Sequence, residues 1–559
     1  MLSLRIFTLV LEVCLALATS PLASPTVVLD SATVTGVRSG DTEEFLGIPF
    51  AQPPLGPLRF NLPQPILPYN MSFSATSMGP ACPQQPLHLP NMSGLPDEVI
   101  DCIVNSIYGF IFPDDEDCLT INVIRPATAS STASSELPVL VWIFGGGFEL
   151  GGPQMYDGAT IVQRSIELDE PVIYVSMNYR VTAFGFLASQ EVKDAGVGNL
   201  GLQDQREAFR WVQKYIEAFG GDPKKVTIWG QSAGAISVAL HMVANGGDTE
   251  GLFRAGFMQS GSPIPVGDIT HGQKYLNILC SRITTVVDYD AMVEATGCSG
   301  SNDTLNCMRG VEYPLIKAAV ADASSIISYQ SLNFPWLPRA DGVLLSDDPQ
   351  KLVQQGQVAS IPIVSGDCDD EGTLFSLSNL NITTQSELST YIRTVFPKIS
   401  ESDLAQLLTG YPADITQGSP FNTSIYNAIT PEYKRISAFQ GDAAFQAPRR
   451  FFLQNLSGKQ PIWSFISKRL KDLPVLGSAH GTDTLNVYGG GDMADYLIRF
   501  AANLDPNGNT GIEWPQYTTD SSPNMLQFND GFPALSLSQD DYRESAMGLV
   551  TKVILANPV

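Results

Sequence analysis

Residues 226–234 read Val-Thr-Ile-Trp-Gly-Gln-Ser-Ala-Gly. Val226 and Ile228 alternate with Thr227 and Trp229, a strand pattern, and the chain then enters Gly230-Gln231-Ser232-Ala233-Gly234. An apolar run from Ala235 to Ala244 follows and reads as a helix. This is G-x-S-x-G between a strand and a helix, the setting of a nucleophile elbow. A serine on so sharp a turn brings neighbouring backbone close, so a side chain at 230 or 234 would clash. If Ser232 is a nucleophile, the rest of the chain must supply a base, an acid to orient it and donors for an oxyanion.

The base follows by elimination, because the chain has only four histidines. His88 lies between Cys82 and Cys118. His241 stands nine residues beyond Ser232 on the same predicted helix, about 13 Å along its axis and out of reach. His271 precedes every candidate acid in the order Ser…Asp/Glu…His that goes with this elbow. His480, in the glycine-rich Val475-Leu-Gly-Ser-Ala-His-Gly-Thr482, remains.

The acid is less determined. Asp367, Asp369, Asp370 and Glu371 cluster after a predicted strand at Ile361–Ser365, and spacing alone does not choose among them. One of them, buried against His480, would fix its tautomer and stabilise the imidazolium. Gly145-Gly146-Gly147 follows the apolar strand Val139–Phe144 and lets backbone N–H groups approach a substrate oxygen. Together with the N–H of Ala233 it forms a candidate oxyanion hole.

Around this stretch, strands alternate with helices. Val139–Phe144, Pro171–Ser176, a helix Leu202–Phe219, the elbow strand, Phe257–Gly261 and Ile361–Ser365 follow in turn. The pattern predicts an α/β fold with a large, mostly parallel central sheet covered by helices on both faces. The stretches 270–360 and 385–450 read as helical and loop-rich. No linker, repeat or long charge block interrupts the chain, which predicts a single catalytic domain over 25–559. In the Cys82–Cys118 excursion, Val99, Ile100, Ile103, Val104, Ile107, Phe110 and Ile111 fall within about 140° of arc at helical spacing. Pro96 to Phe112 therefore reads as an amphipathic helix, either a core-facing one or a hinged lid over 88–113.

Composition narrows the function classes. The chain has 559 residues, 44% of them apolar, which is ample for a core. A formal net charge of −25 argues against nucleic-acid partners and against adsorption to anionic membranes. Arg5, the apolar run Ile6–Ala18 and small residues at Ala18, Ser20, Ala23 and Ser24 read as a signal peptide over 1–20, cut within 18–24. Secretion is the expectation. No later stretch has membrane length and no GPI-type tail is evident. Asn70, Asn91, Asn302, Asn381, Asn422 and Asn455 open N-x-S/T sequons, predicting glycans. Of eight cysteines, Cys14 leaves with the signal peptide, so at least one of the rest is free or pairs between chains. There is no His-rich or Cys-x-x-Cys site, and no metal or cofactor is expected.

Four stretches carry a resemblance that covers residues 25 to the C-terminus. They are Gly47-Ile-Pro-Phe-Ala-Gln-Pro-Pro54, Glu116-Asp-Cys-Leu-Thr-Ile-Asn-Val123, Phe219-Gly-Gly-Asp-Pro223 through Gly234, and Gly366-Asp-Cys-Asp-Asp-Glu-Gly-Thr373. The chain resembles the type-B carboxylesterase/lipase family of cholinesterase-like α/β-hydrolases, and most of all the secreted fungal lipases of the Candida rugosa type. The resemblance implies an α/β-hydrolase fold and a serine ester hydrolase with Ser232, Glu371 and His480 as its triad. It implies an oxyanion hole of Gly146, Gly147 and Ala233, disulfides Cys82–Cys118 and Cys298–Cys307, and a lid in the first of these excursions. Arg59 with Glu116, and Arg180 with Asp204, match structural ion pairs of the family.

Two departures stand out. Gln231 occupies the place of the usual Glu before the nucleophile, and Phe144 that of the His many esterases carry. Cys102, Cys280 and Cys368 fall outside both bridges. The implied substrates are lipid or small-molecule esters, acylglycerols or other lipid esters first, with contact at lipid aggregates, and the apolar helix face favours lipids or sterol esters over small soluble ones. The alternatives are a small-ester carboxylesterase, a sterol esterase, or a non-catalytic binding protein on the same fold.

Overall fold

The computed structural model describes residues 24–86, 113–129, 136–271, 274–279, 282–332 and 335–558. The expected signal peptide, His88, Asn91, the helix expected at 96–112 and cysteines 14, 102 and 280 lie outside the described residues. The alternating strands and helices form an eleven-stranded sheet. In chain order its strands are β1 (Val37–Ser39), β2 (Thr42–Pro49), β3 (Thr120–Pro126), β4 (Leu137–Ile143), β5 (Ile173–Met177), β6 (Gly221–Gln231), β7 (Ala255–Gln259), β8 (Ile363–Cys368), β9 (Ile462–Lys468), β10 (Asn524–Asn529) and β11 (Leu535–Gln539). Across the sheet the order is β11-β10-β9-β8-β7-β6-β4-β5-β3-β2-β1.

The block from β10 to β5 is parallel. Antiparallel pairs close both margins, β10 with β11 on one side and β5 through β1 on the other. Every residue of β3, β5, β7 and β8 is buried. Successive strand side chains point to opposite faces, so total burial means that both faces are covered. The polar residues these strands carry, among them Asn122, Gln259 and Asp367, are therefore buried as well.

Helices α1 (Leu200–Tyr215), α2 (Ala233–Val243), α3 (Tyr433–Gly441), α4 (Ala447–Leu456) and α5 (Glu544–Ala556) bear on the site. The predicted helix 202–219 is α1 followed by a 3-10 turn, Ile216–Phe219. The region 270–360 also holds a two-stranded ladder, Lys274–Leu279 with Arg282–Val287. Cys82 bonds Cys118 and Cys298 bonds Cys307, while Cys368 is free and buried. Asn70, Asn302, Asn381 and Asn422 are exposed. Asn455 is half-buried and donates its side-chain N–H to the Phe451 carbonyl at 2.8 Å.

Buried ion pairs hold the sheet to its surroundings. Arg59 contacts Glu116 at 2.5 and 2.7 Å, and Arg180 contacts Asp204 at 2.7 and 2.8 Å. A larger cluster centres on Asp540, just beyond β11. It accepts from both terminal nitrogens of Arg449, at 3.0 and 2.9 Å, and from Arg450 at 2.7 Å. Arg449 Nε also donates to Asp367 on β8 at 2.7 Å. Burial opposes ionisation of Asp540, but the two guanidiniums overcome it and hold its pKa at about 2.

Because this folded-state pKa lies below the ordinary carboxylate range, the contribution is present above about pH 4 and lost as the pH falls toward 2. Asp540→Asn leaves two arginines with a neutral partner and is expected to cost about 3–5 kcal/mol at pH 7 in a denaturant titration. The gap between variant and parent should narrow as pH drops from 4 toward 2. A gap that stays constant over that interval would count against the assignment.

Candidate active site

The site begins with a backbone constraint. At the end of β6 Ser232 takes φ 56° and ψ −127°, and α2 starts at the next residue. A Cβ on Gly230 would lie 2.4 Å from the Gly234 carbonyl carbon, and one on Gly234 would lie 2.0 Å from the Ile143 oxygen. Both glycines are therefore required by close approach. The Ser232 N–H donates to the Gln259 carbonyl at 2.8 Å, anchoring the elbow to β7.

Strand register sets the next pieces. Gln231 pairs with Gln259 across β6 and β7, and Gln259 with Gly366 across β7 and β8. The carboxyl ends of the three strands therefore lie side by side, the position where open α/β sheets gather their sites. His480, presented by its glycine-rich loop, has Nε2 2.8 Å from Ser232 Oγ and Nδ1 2.5 Å from Glu371 Oε2. The second oxygen of Glu371 accepts from Ser260 Oγ and from the Cys368 N–H, each at 2.6 Å. With Glu371 accepting from Nδ1–H, the lone pair of Nε2 faces the serine hydroxyl. The rings of Phe445 and Phe375 pack on the imidazole at 4.5 and 5.1 Å.

The other members of the acidic cluster face elsewhere. Asp367 binds Arg449. Asp369 and Asp370 share Lys471, at 2.5 and 2.6 Å. Asp370 also accepts from Ser419 Oγ at 2.9 Å and from the N–H groups of Phe421 and Ser478 at 2.8 and 2.9 Å. Of the four, Glu371 alone touches His480. The remaining histidines within the described residues are distant in role. His241 is fully buried, 2.8 Å from Gln205 Oε1, and burial holds its pKa well below the usual value. His271 lies on the surface.

Three residues near the triad carried no sequence signal beyond their place in a strand or loop. Ser260 follows β7 at φ 56° and meets Glu371. Asp483 is buried below the histidine loop and accepts from Gln259 Nε2 at 2.8 Å, while Gln259 Oε1 takes the Trp229 N–H at 2.7 Å. Burial pushes the Asp483 carboxyl up to about 6, against the lowering effect of the Gln259 bond. Gln231, singled out as a departure, lies with Nε2 3.2 Å from His480 Nε2. An uncharged amide thus occupies the place beside the imidazole where the resemblance puts a carboxylate.

The glycine turn reaches the same point from β4. A Cβ on Gly145 would lie 2.8 Å from Ser232 Cβ. Gly146 and Gly147 follow at φ 113° and 65°. Gly147, Ser232 and Ala233 share the wall of an open cavity of about 100 Å³. Ile236, Val266, Leu337, Phe396, Phe439 and Phe445 are among its apolar lining. Tyr391 and Gln440 also line it, and they satisfy each other through an N–H···O bond of 2.7 Å.

The elbow can be tested without touching the triad. Gly234→Ala is expected to lower the melting temperature and abolish ester hydrolysis, because the intruding Cβ must displace the backbone of β4. Gly548→Ala, in the exposed middle of α5 with open space around it, should instead be neutral or stabilising by up to about 1 kcal/mol. Equal effects of the two substitutions in thermal melts would refute the close-approach argument.

Known proteins place the chain. The profile of the Carboxylesterase family matches residues 23–543. Lipase 2 of Diutina rugosa is 42% identical, over 96% of this chain and 98% of its own length. Secreted triacylglycerol lipase LIP1 of Gibberella zeae is 38% identical, over 94% of this chain and 89% of its own. The crystal structure of Aspergillus niger EstA is similar with a TM-score of 0.78 at 28% identity, covering 96% of this chain and 99% of that one. With the α/β architecture and the G-x-S-x-G elbow already in view, the match over nearly the whole length has one meaning: the chain belongs to the carboxylesterase family and is a carboxylic ester hydrolase.

Proposed function

We propose that this enzyme is secreted and hydrolyses lipid esters, acylglycerols above all, through an acyl-enzyme on Ser232. The observation that carries the reading is a serine 2.8 Å from an oriented imidazole, opening into an apolar cavity. A cavity with that lining suits an aliphatic acyl chain, which gains by leaving water. The relatives' names, a secreted triacylglycerol lipase among them, point the same way. No helix among the described residues is long and apolar enough to cross a membrane. Residues 1–20 act as the signal peptide, 25–559 as one catalytic domain, and 88–113 as its lid.

In this mechanism His480, held by Glu371, takes the proton of Ser232 Oγ as that oxygen attacks the ester carbonyl carbon. The carbonyl oxygen becomes an anion facing the N–H groups of Gly146, Gly147 and Ala233. His480 then returns the proton to the departing alcohol, leaving an acyl-Ser232 ester. Water attacks that ester, giving its proton to His480, and the acid product leaves as Ser232 recovers its hydrogen. Phe375 and Phe445 flank the imidazole and limit water around it.

Ser232→Ala is expected to abolish hydrolysis of p-nitrophenyl butyrate, and Glu371→Gln to lower kcat about 10⁴-fold. Substantial activity left in the serine variant would sink the mechanism. Rates on emulsified triolein, cholesteryl oleate and soluble p-nitrophenyl butyrate test the substrate class. The lipase reading expects triolein to be preferred, with a rate rise once substrate exceeds its solubility. A preference for the soluble ester alone would instead mark a small-ester carboxylesterase.

A further inference from the structure

One fully buried carboxyl has no part in the chemistry above. Glu149 lies two residues beyond Gly147 and has no exposed surface. The turn before it is unusual, since Gly146, Gly147 and Phe148 all take positive φ, at 113°, 65° and 61°. Left-handed backbone at Phe148 is disfavoured by its Cβ. Such strain persists only where the surroundings over-determine it.

The restraints converge on Glu149 and its neighbours. Its N–H donates to the Gly146 carbonyl at 3.1 Å, and its own carbonyl accepts the Gln85 N–H at 2.8 Å. The Phe148 carbonyl accepts the Thr182 N–H at 2.7 Å. Gly151 N–H donates to Gln84 Oε1 at 2.6 Å. On the far side, the Ile326 N–H donates to Glu149 Oε2 at 2.7 Å, and Ile326 lines the cavity.

We propose that Glu149 is a positioning residue of the oxyanion turn, its carboxyl tying the turn to the cavity wall at Ile326 and so aiming the N–H groups of Gly146 and Gly147. This rests on the serine-hydrolase reading of the same site. The carboxyl serves as an acceptor and not as a charge. Oε1 has no partner among the described residues, and an ionised oxygen left bare in the interior is costly. Burial raises the Glu149 pKa well above the usual range, the Ile326 bond lowers it, and the nearby Asp288 raises it again. Glutamine has the same shape and keeps the acceptor, so it should replace Glu149. Aspartate keeps the acid but draws the acceptor back by one methylene.

The test compares Glu149→Gln, Glu149→Asp and Glu149→Ala on p-nitrophenyl butyrate, with melting temperatures and affinity for a trifluoromethyl ketone. The Gln variant should keep kcat within about threefold. The Asp and Ala variants should lose kcat by about 10–100-fold at nearly unchanged KM, because oxyanion donors act mainly in the transition state. Ketone binding should weaken by a similar factor. If Glu149→Ala does not fold, the Gln and Asp pair still decides. The proposal is overturned if Asp and Ala variants keep wild-type kcat and ketone affinity, or if Gln falls as far as Asp. Parent enzyme that resists labelling by a fluorophosphonate would overturn the site itself; labelled parent with indifferent Glu149 variants overturns only this role.

Discussion

The site depends on two backbone segments that nearly touch, the elbow at Gly230–Gly234 and the end of β4 at Ile143. With no Cβ at 234, the first turn of α2 can press on the Ile143 carbonyl. β4 then runs directly into Gly145, itself pressed on Ser232. Ser232 and the glycine turn are adjacent because no side chain stands between them. The price is strained backbone at Ser232 and Phe148, on the order of 1–3 kcal/mol for each such residue. Hydrogen bonds from β7, Thr182 and Gln85 hold both in place.

Charge is sorted around this frame with equal economy. Four carboxylates within five residues would repel one another in water. In the fold, β8 ends among them and sends them to three partners: Asp367 to Arg449, Asp369 and Asp370 to Lys471, and Glu371 to His480. Asp367 thereby shares a guanidinium with Asp540, and Asp369 and Asp370 share one ammonium, so each meets a cation that offsets part of the charge. Glu371 keeps its acceptors for the imidazole, the Ser260 hydroxyl and one backbone N–H. Secured on both oxygens, it holds the ring in one tautomer.

The cavity wall and the triad share an element whose geometry is not ordinary helix. Asp442–Gln446, between α3 and α4, is a π turn. Such turns carry an extra residue and recur at functional sites. Here it lets Ala443, Ala444 and Phe445 face the cavity while Phe445 packs on His480. Its neighbour Gln446 donates to the Cys368 carbonyl at 2.9 Å, and Asp442 pairs with Arg543 at 2.7 Å. One turn thus joins the cavity wall, the end of β8 and the start of α5.

Much of this was legible in the chain itself. The elbow, the apolar parallel strands and the glycine run are local patterns whose physics is short-ranged: side-chain alternation, helical periodicity and the steric freedom of glycine. With only four histidines in the chain, helical reach and chain order were enough to point to His480. The acid did not, because spacing cannot say which of several neighbouring carboxylates a strand end will turn inward; the resemblance named Glu371, and the fold shows it against His480. Ser260, Asp483, Gln259 and Glu149 stayed silent in sequence because their roles exist only between strands and loops far apart in the chain. The sequence by itself determined which segments become strand, turn and helix, and which serine stands on the elbow. Only the tertiary structure decided which buried polar groups meet, because a buried hydrogen bond is set by the packing of distant segments and leaves no periodic trace in either one.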